Sequence, residues 1–144
     1  MMSNTEANKI LVHRFYAALD EGDLAGAYES LAPAYRVHIP GNGEQALDGY
    51  KQSVAQLYAA FPDLRHTIED LIAEADTVVT RLTAHGRNTG NFYGMPATGK
   101  SVTVSEIAIF RIAEGKIMEQ WPQSDALGMM QQLGLIPTPG LPAE

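Results

Sequence analysis

The segment that decides the fold begins Phe61-Pro62-Asp63-Leu64-Arg65, runs through β-branched residues, and reaches Gly94-Met95-Pro96-Ala97-Thr98-Gly99-Lys100. It continues to Gly115-Lys116-Ile117-Met118-Glu119-Gln120-Trp121 and closes on Ser124-Asp125-Ala126-Leu127-Gly128-Met129-Met130-Gln131-Gln132-Leu133-Gly134. Val78, Val79, Thr80, Leu82 and Thr83 give one strand signal, and Val102 to Ile112 gives another. Glu114-Gly115-Lys116 is a tight turn, so strands over 101–112 and 116–121 are expected to pair as a hairpin. Glu74-Ala75-Asp76 is expected to turn an earlier one. Gly86 to Gly99, with four glycines and one proline, reads as a longer loop. Ser124 is expected to cap a short last helix that Gly134 ends.

Upstream of Phe61 the period changes from two to 3.6 residues. Ser3-Asn4-Thr5-Glu6 has the spacing of a capping box, ahead of a helix with Ile10, Leu11, Phe15, Ala18 and Leu19 on one stripe. Asp23 is expected to cap a second helix carrying Leu24, Ala27, Tyr28 and Leu31 and ended by Pro33. Tyr35 to Ile39 reads as a short strand. Asp48 is expected to cap a third helix, with Tyr50, Val54, Leu57, Tyr58 and Phe61 on its apolar stripe and Pro62 as its stop. N-terminal helices followed by a strongly curved antiparallel sheet define an α+β fold, a cone with an internal pocket. Such an interior suits a small hydrophobic molecule held beside a few polar groups.

The 144 residues are expected to form a single domain over 1–144, with 137–144 as a loose C-terminal tail. Ten Lys and Arg against 17 Asp and Glu give a net charge of −7, which argues against a nucleic-acid partner. With no cysteine there is no disulfide framework and no thiolate nucleophile. No apolar run approaches the ~20 residues of a membrane span, and the polar start lacks a signal-peptide pattern, so a cytoplasmic protein is expected. His13, His38, His66 and His85 show no metal-ligand spacing.

Several side chains are candidates for chemistry. His38, between Val37 and Ile39, points opposite to both if the segment is extended, so either the apolar pair or the imidazole faces inward. Arg81, Thr83 and His85 share a strand face, either turned to the cavity or solvated. Glu106 lies among Val104, Ala108 and Phe110 on its face, which suggests a buried acid or an interface acid; Arg81 is its expected partner. Trp121 is the sole tryptophan, a core anchor or a pocket wall. Tyr58 and Phe61 lie on a helix stripe that packs and also walls the cavity. Asp125 fits two roles, a proton-transfer group or the cap of the helix it starts.

Ala60-Phe61-Pro62-Asp63, Gly94-Met95-Pro96-Ala97-Thr98-Gly99-Lys100, Phe110-Arg111, Gly115-Lys116-Ile117, Glu119-Gln120-Trp121 and Asp125-Ala126-Leu127-Gly128 together resemble the SnoaL-like polyketide cyclase family. That family sits within the cone-shaped folds related to nuclear transport factor 2 and ketosteroid isomerase, and the resemblance runs from Asn8 to Pro137. It implies ring closure by intramolecular aldol condensation, with a buried acidic residue and no cofactor or metal. The best match for that acid is Asp125, and the resemblance favours an interior position for Arg81. It also implies a homodimer through the outer face of the sheet, where the apolar hairpin 101–121 needs cover.

The expectation is a cofactor-free acid/base enzyme of cyclase, isomerase or hydratase type, acting on a small hydrophobic carbonyl-bearing substrate. Asp125 and His38 would be catalytic, and Arg81, Glu106, Trp121, Tyr58 and Phe61 substrate-binding. The chain departs from the family pattern at Asn88, where relatives often carry histidine, and at Gln120-Trp121-Pro122, where many carry His-Trp-Asp. An alternative therefore stays open: a non-catalytic protein that binds a small molecule in the same pocket.

Overall fold

The computed structural model describes residues 3–139. Four helices, α1 (Asn4–Asp20), α2 (Leu24–Tyr28), α3 (Leu47–Ala60) and α4 (Ala126–Gln132), surround one six-stranded sheet. Its strands are β1 (Leu31–Ile39), β2 (Gly43–Ala46), β3 (Arg65–Glu74), β4 (Thr77–Arg87), β5 (Ser101–Ala113) and β6 (Lys116–Ser124). They lie in the order β2-β1-β6-β5-β4-β3. All neighbours are antiparallel except β1 and β6, which run parallel. Register shifts in the β1/β6, β3/β4 and β5/β6 ladders bend the sheet around the helices, because an extra residue adds local twist and curvature. Among the described residues no helix is long and apolar enough to cross a membrane.

The turns form where their residues allow. Glu114 and Gly115 both have positive φ (53° and 73°), the geometry of the two-residue hairpin turn expected at that place. Ser3 caps α1, its Oγ accepting the Glu6 N–H at 3.2 Å. Asp23 caps α2 through the Gly26 N–H at 2.9 Å.

Several boundaries differ from expectation. The second helix is only five residues long, and Leu31 and Pro33 belong to β1, which starts four residues before Tyr35. The exposed Pro33 is tolerated in that strand while β1 pairs with β6 only at Leu31 and from Arg36 onward. Helix α3 starts at Leu47 with no side-chain cap, leaving Asp48 in its first turn. Asp125, and not Ser124, caps α4, because β6 runs through Ser124. In α1 the buried stripe is Val12, Phe15, Tyr16 and Leu19, and Ile10 is exposed. Residues 140–144 of the expected tail lie outside the described residues.

The core gathers Val12, Phe15 and Leu19 of α1, Tyr35 and Val37 of β1, Val54 of α3, Val78 and Leu82 of β4, and Ala108, Phe110 and Ile112 of β5. Phe110 meets Phe15 and Tyr16 edge-on at 6.3 and 5.9 Å between ring centroids. A second cluster, Ala60, Phe61, Leu64, Val102 and Leu133, ties the end of α3 to β5 and α4. Each large side chain buried in this way contributes about 1.5–3 kcal/mol relative to exposure.

Candidate functional site

Strand alternation decides which side chains enter the cone. On β5 the inner row is Val102, Val104, Glu106, Ala108 and Phe110, and the outer row is Thr103, Ser105, Ile107 and Ile109. The register carries the division across the sheet: Leu82 faces Glu106, Thr80 faces Ala108, and Ala84 faces both Val104 and His66. Polar groups thus enter an otherwise apolar row at Thr80, Glu106 and His66. Gln120 joins them from β6, opposite Phe110 and 4% exposed.

The helices and β1 add tyrosines to the same interior. Tyr16 comes from α1, Tyr35 from β1, and Tyr50 and Tyr58 from α3. The Tyr35 hydroxyl donates to Gln120 Oε1 at 2.6 Å. Among the described residues, the hydroxyls of Tyr16, Tyr58 and Thr80 are buried with no hydrogen-bond partner. A buried polar atom without a partner normally costs stability, so three such groups in one interior point to a bound guest or to water. Leu47, Tyr50, Tyr58, Ala84, Val104 and Glu106 remain partly exposed, which marks the open side of the cone.

Burial raises the Glu106 carboxyl above the usual carboxylate range, and the nearby His66 partly offsets the rise. A carboxyl so placed holds its proton to higher pH than a surface acid and can exchange it with a ligand. Burial also raises the hydroxyls of Tyr16, Tyr35, Tyr50 and Tyr58, with the Glu106 charge adding to the effect at Tyr16 and Tyr50. They therefore stay neutral and serve as hydrogen-bond donors. Among the described residues no three His, Cys, Asp or Glu side chains come together as a metal site would need.

Of the residues expected to carry chemistry, Glu106 and Tyr58 both belong to this interior. Phe61 is 1% exposed and packs in the second cluster, edge-on to Phe92 at 5.7 Å. The other four lie elsewhere. Asp125 is exposed, and its Oδ1 accepts the Gly128 N–H at 2.9 Å, so its carboxylate faces its own helix terminus. The Asp23-x-x-Gly26 start of α2 repeats the same device. Arg81 points outward and pairs with Asp70 at 2.6 Å, because its register partner Ile107 is on the outer row. The expected Arg81–Glu106 pair is thereby excluded: the two side chains leave opposite faces of the sheet.

His38 is also on the outer face, since Val37 takes the inward direction and is fully buried. Its Nε2 meets Glu119 Oε2 at 2.6 Å, and its ring stacks on Trp121 at 5.2 Å and 9°. The His38 hydrogen bond, with Arg111 assisting, lowers the Glu119 carboxyl below its ordinary range. Arg81 and Asp125 border one open groove of about 430 Å³, whose lining also includes Leu82, Thr83, Ser105, Glu106 and Gln123.

Two interior groups escape the sequence reading: Asp20 and His66. His66 Nδ1 lies 2.8 Å from Asp20 Oδ1, and the His66 main-chain N–H donates to the same carboxylate. The pairing spans 46 residues, so no local motif announces it. The alternation His66, Ile68 at the head of β3 was the available signal. Asn88 is also buried, but structurally. Its Oδ1 accepts the Thr98 N–H and hydroxyl at 2.8 and 3.0 Å, and its Nδ2 donates to Gly90 O at 2.9 Å, which fixes the loop that follows β4.

Comparison with known proteins agrees with this architecture. The family model described as SnoaL-like polyketide cyclase matches residues 10–133. The chain is 35% identical over 132 residues to aklanonic acid methyl ester cyclase DauD of Streptomyces sp. (strain C5), covering 86% of this chain and 80% of that protein. It is 30% identical over 105 residues to nogalonic acid methyl ester cyclase of Streptomyces nogalater, covering 72% and 76%. The crystal structure of AclR from Streptomyces galilaeus superimposes with a TM-score of 0.88 at 25% identity, covering 96% of this chain and 87% of AclR. A family model spanning nearly the whole described chain, on a cone whose inner row carries a partly exposed acid, places the protein in the SnoaL-like polyketide cyclase family.

Proposed function

We propose that this protein is a cofactor-free cyclase. It closes a ring in a hydrophobic polyketide methyl ester, a compound of the kind for which its relatives are named, and Glu106 is the proton-transfer group. The observation that carries this reading is the Glu106 carboxyl, on the inner row of β5 and raised by burial among neutral tyrosines. An intramolecular aldol closure moves one proton from a carbon beside a carbonyl to the oxygen of the carbonyl attacked. The new carbon–carbon bond uses the electron pair left on that carbon, so no redox partner is required. What the protein must supply is a base, an acid and donors for the enolate oxygen. Glu106 exchanges the proton, and the unpartnered hydroxyls of Tyr16 and Tyr58 serve as donors. Asp125 and His38 are assigned no chemical step, since neither reaches this interior.

The test is turnover of aklanonic acid methyl ester by protein treated with a chelator and freed of small molecules. A cyclised product of unchanged mass, formed faster than in buffer, is the expected result. Binding without product would instead identify a carrier of such compounds.

We also propose that a second copy of the chain covers the outer face, where Ile72, Ile107, Ile109 and Trp121 are all more than a third exposed. Light scattering is expected to give twice the mass of one chain, and Ile109→Glu to give a monomer. A wild-type monomer would remove the proposal.

A further inference from the structure

We propose that His66 is a second proton-transfer residue of the interior, positioned by Asp20, and that it acts as the base while Glu106 acts as the acid. The inference deepens the cyclase reading and rests on it for the substrate class.

The geometry comes from two elements meeting. Asp20 is the last residue of α1, and His66 is the second residue of β3. The Asp20 carboxylate receives the His66 main-chain N–H at 3.1 and 3.0 Å and meets ring Nδ1 at 2.8 Å. An ionised carboxylate only accepts, so Nδ1 carries the proton in that bond. In the neutral ring the lone pair then sits on Nε2. Among the described residues, Nε2 has no hydrogen-bond partner. The His66 side chain is 10% exposed, and its ring lies 5.2 Å from the Tyr16 ring, whose hydroxyl is also unpartnered. His66 pairs with Ala84, on the inner row that continues to Leu82 opposite Glu106.

A bond that only fastened β3 to the end of α1 would need no imidazole, because Asp20 already holds the main-chain N–H of residue 66. What the ring adds is a second nitrogen, on a side chain of the inner row and beside the Tyr16 ring. The near-neutral proton exchange of an imidazole suits a base that must take a proton from carbon. His66 lies near enough to Glu106 to offset part of the rise that burial gives its carboxyl. An imidazole and a carboxyl on one inner face supply two groups able to pass a proton.

The step balances as follows. Nε2 takes a proton from the carbon flanked by carbonyls, and the C–H electron pair becomes the enolate. The enolate carbon bonds to the second carbonyl carbon, whose π pair moves to oxygen. That oxygen takes the Glu106 proton, and transfer of a proton from His66 to Glu106 restores both groups.

The variants are His66→Asn, which keeps an N–H for Asp20 and removes the ring nitrogen, and Asp20→Asn, which removes the ionised acceptor. With aklanonic acid methyl ester as the probe, His66→Asn is expected to lower kcat by about 10²–10⁴ with KM within about threefold, the range of a lost general base. Asp20→Asn is expected to fall between it and wild type. In parallel, nitrogen NMR of histidine-labelled wild-type protein is expected to show His66 protonated at Nδ1, with Nε2 shifting when the probe is added. Wild-type kcat in a folded His66→Asn protein overturns the proposal, as does a ring protonated at Nε2 alone. Should wild type show no turnover, the cyclase reading fails separately. The NMR result then decides the residue's role: an Nε2 unmoved by the probe overturns it, and a shifted Nε2 supports it.

Discussion

Glu106→Gln separates the proposed chemistry from the fold more sharply than any other single change. The amide keeps the shape of the side chain and its ability to hydrogen-bond, but it cannot exchange a proton. Loss of a general acid or base lowers rates by about 10²–10⁴, equivalent to about 3–5 kcal/mol of barrier. The expected result is a kcat reduced by that factor, with the KM for aklanonic acid methyl ester changed by less than about threefold. Stability should move in the opposite direction. Burial raises the Glu106 carboxyl in the folded protein above its value of 4.5 as an isolated group. Between those two values the folded chain holds a proton that the unfolded chain has released, so wild-type stability falls as pH rises through that window. The glutamine variant has no such proton. Its melting temperature should match or trail wild type near pH 4 and exceed it at pH 8. For a chain of 144 residues each 1 kcal/mol of advantage corresponds to about 3 °C. Melting curves by circular dichroism at the two pH values, with cyclisation followed chromatographically, give both numbers from one preparation. Full turnover, together with a melting difference from wild type that does not change with pH, would refute both the role and the burial of the charge.

Other positions report on the remaining parts of the account. Asp125→Ala should lose one capping bond on α4, about 1 kcal/mol or about 3 °C in Tm, and keep kcat within about twofold. A hundredfold loss would return the acid to position 125. Tyr35→Phe leaves the buried Gln120 oxygen without its donor and should cost about 1–3 kcal/mol in urea unfolding, whereas a neutral result would mean that water enters there. Gly90→Ala would drive a Cβ into the Ala59 carbonyl oxygen, where the loop after β4 rests on the end of α3. Overpacking against main chain should lower stability by about 1–3 kcal/mol or more, and an unchanged melting curve would show that the loop is free to lift.

How much of this could be read in advance follows from the range of each interaction. The period-two rows of β4 and β5, the Glu114-Gly115 turn and the stop at Pro62 are local, and the fold class rests on them. The helical spacing runs on through Leu31, while the ladder that claims Leu31 for β1 comes from Ile117, far along the chain. The face of each strand was the harder matter. Alternation groups Arg81 with Thr83 and His85, and Glu106 with Ala108 and Phe110, but it does not say which group is inside. For Glu106 the fully apolar neighbours resolve the ambiguity; for Arg81 the outward direction appears only once Ile107 is seen opposite it. Val37 and Ile39 outweigh His38 for the interior, as expected when burying two aliphatic side chains competes with burying one imidazole. The capping role of Asp125 is local, since the Asp-x-x-Gly pattern that starts α2 recurs at α4. The Asp20–His66 pair is the opposite case, a contact made only when the end of α1 meets the head of β3.

The most direct test is a crystal structure with aklanonic acid methyl ester, or its cyclised product, bound to the Glu106→Gln protein. The account predicts the ligand inside the cone, with an oxygen within hydrogen-bond distance of residue 106 and of the Tyr16 or Tyr58 hydroxyl, and with His66 Nε2 facing a carbon beside a carbonyl. A ligand seated on the outer face against His38 and Trp121, or in the groove beside Asp125, with the interior unchanged, would contradict it.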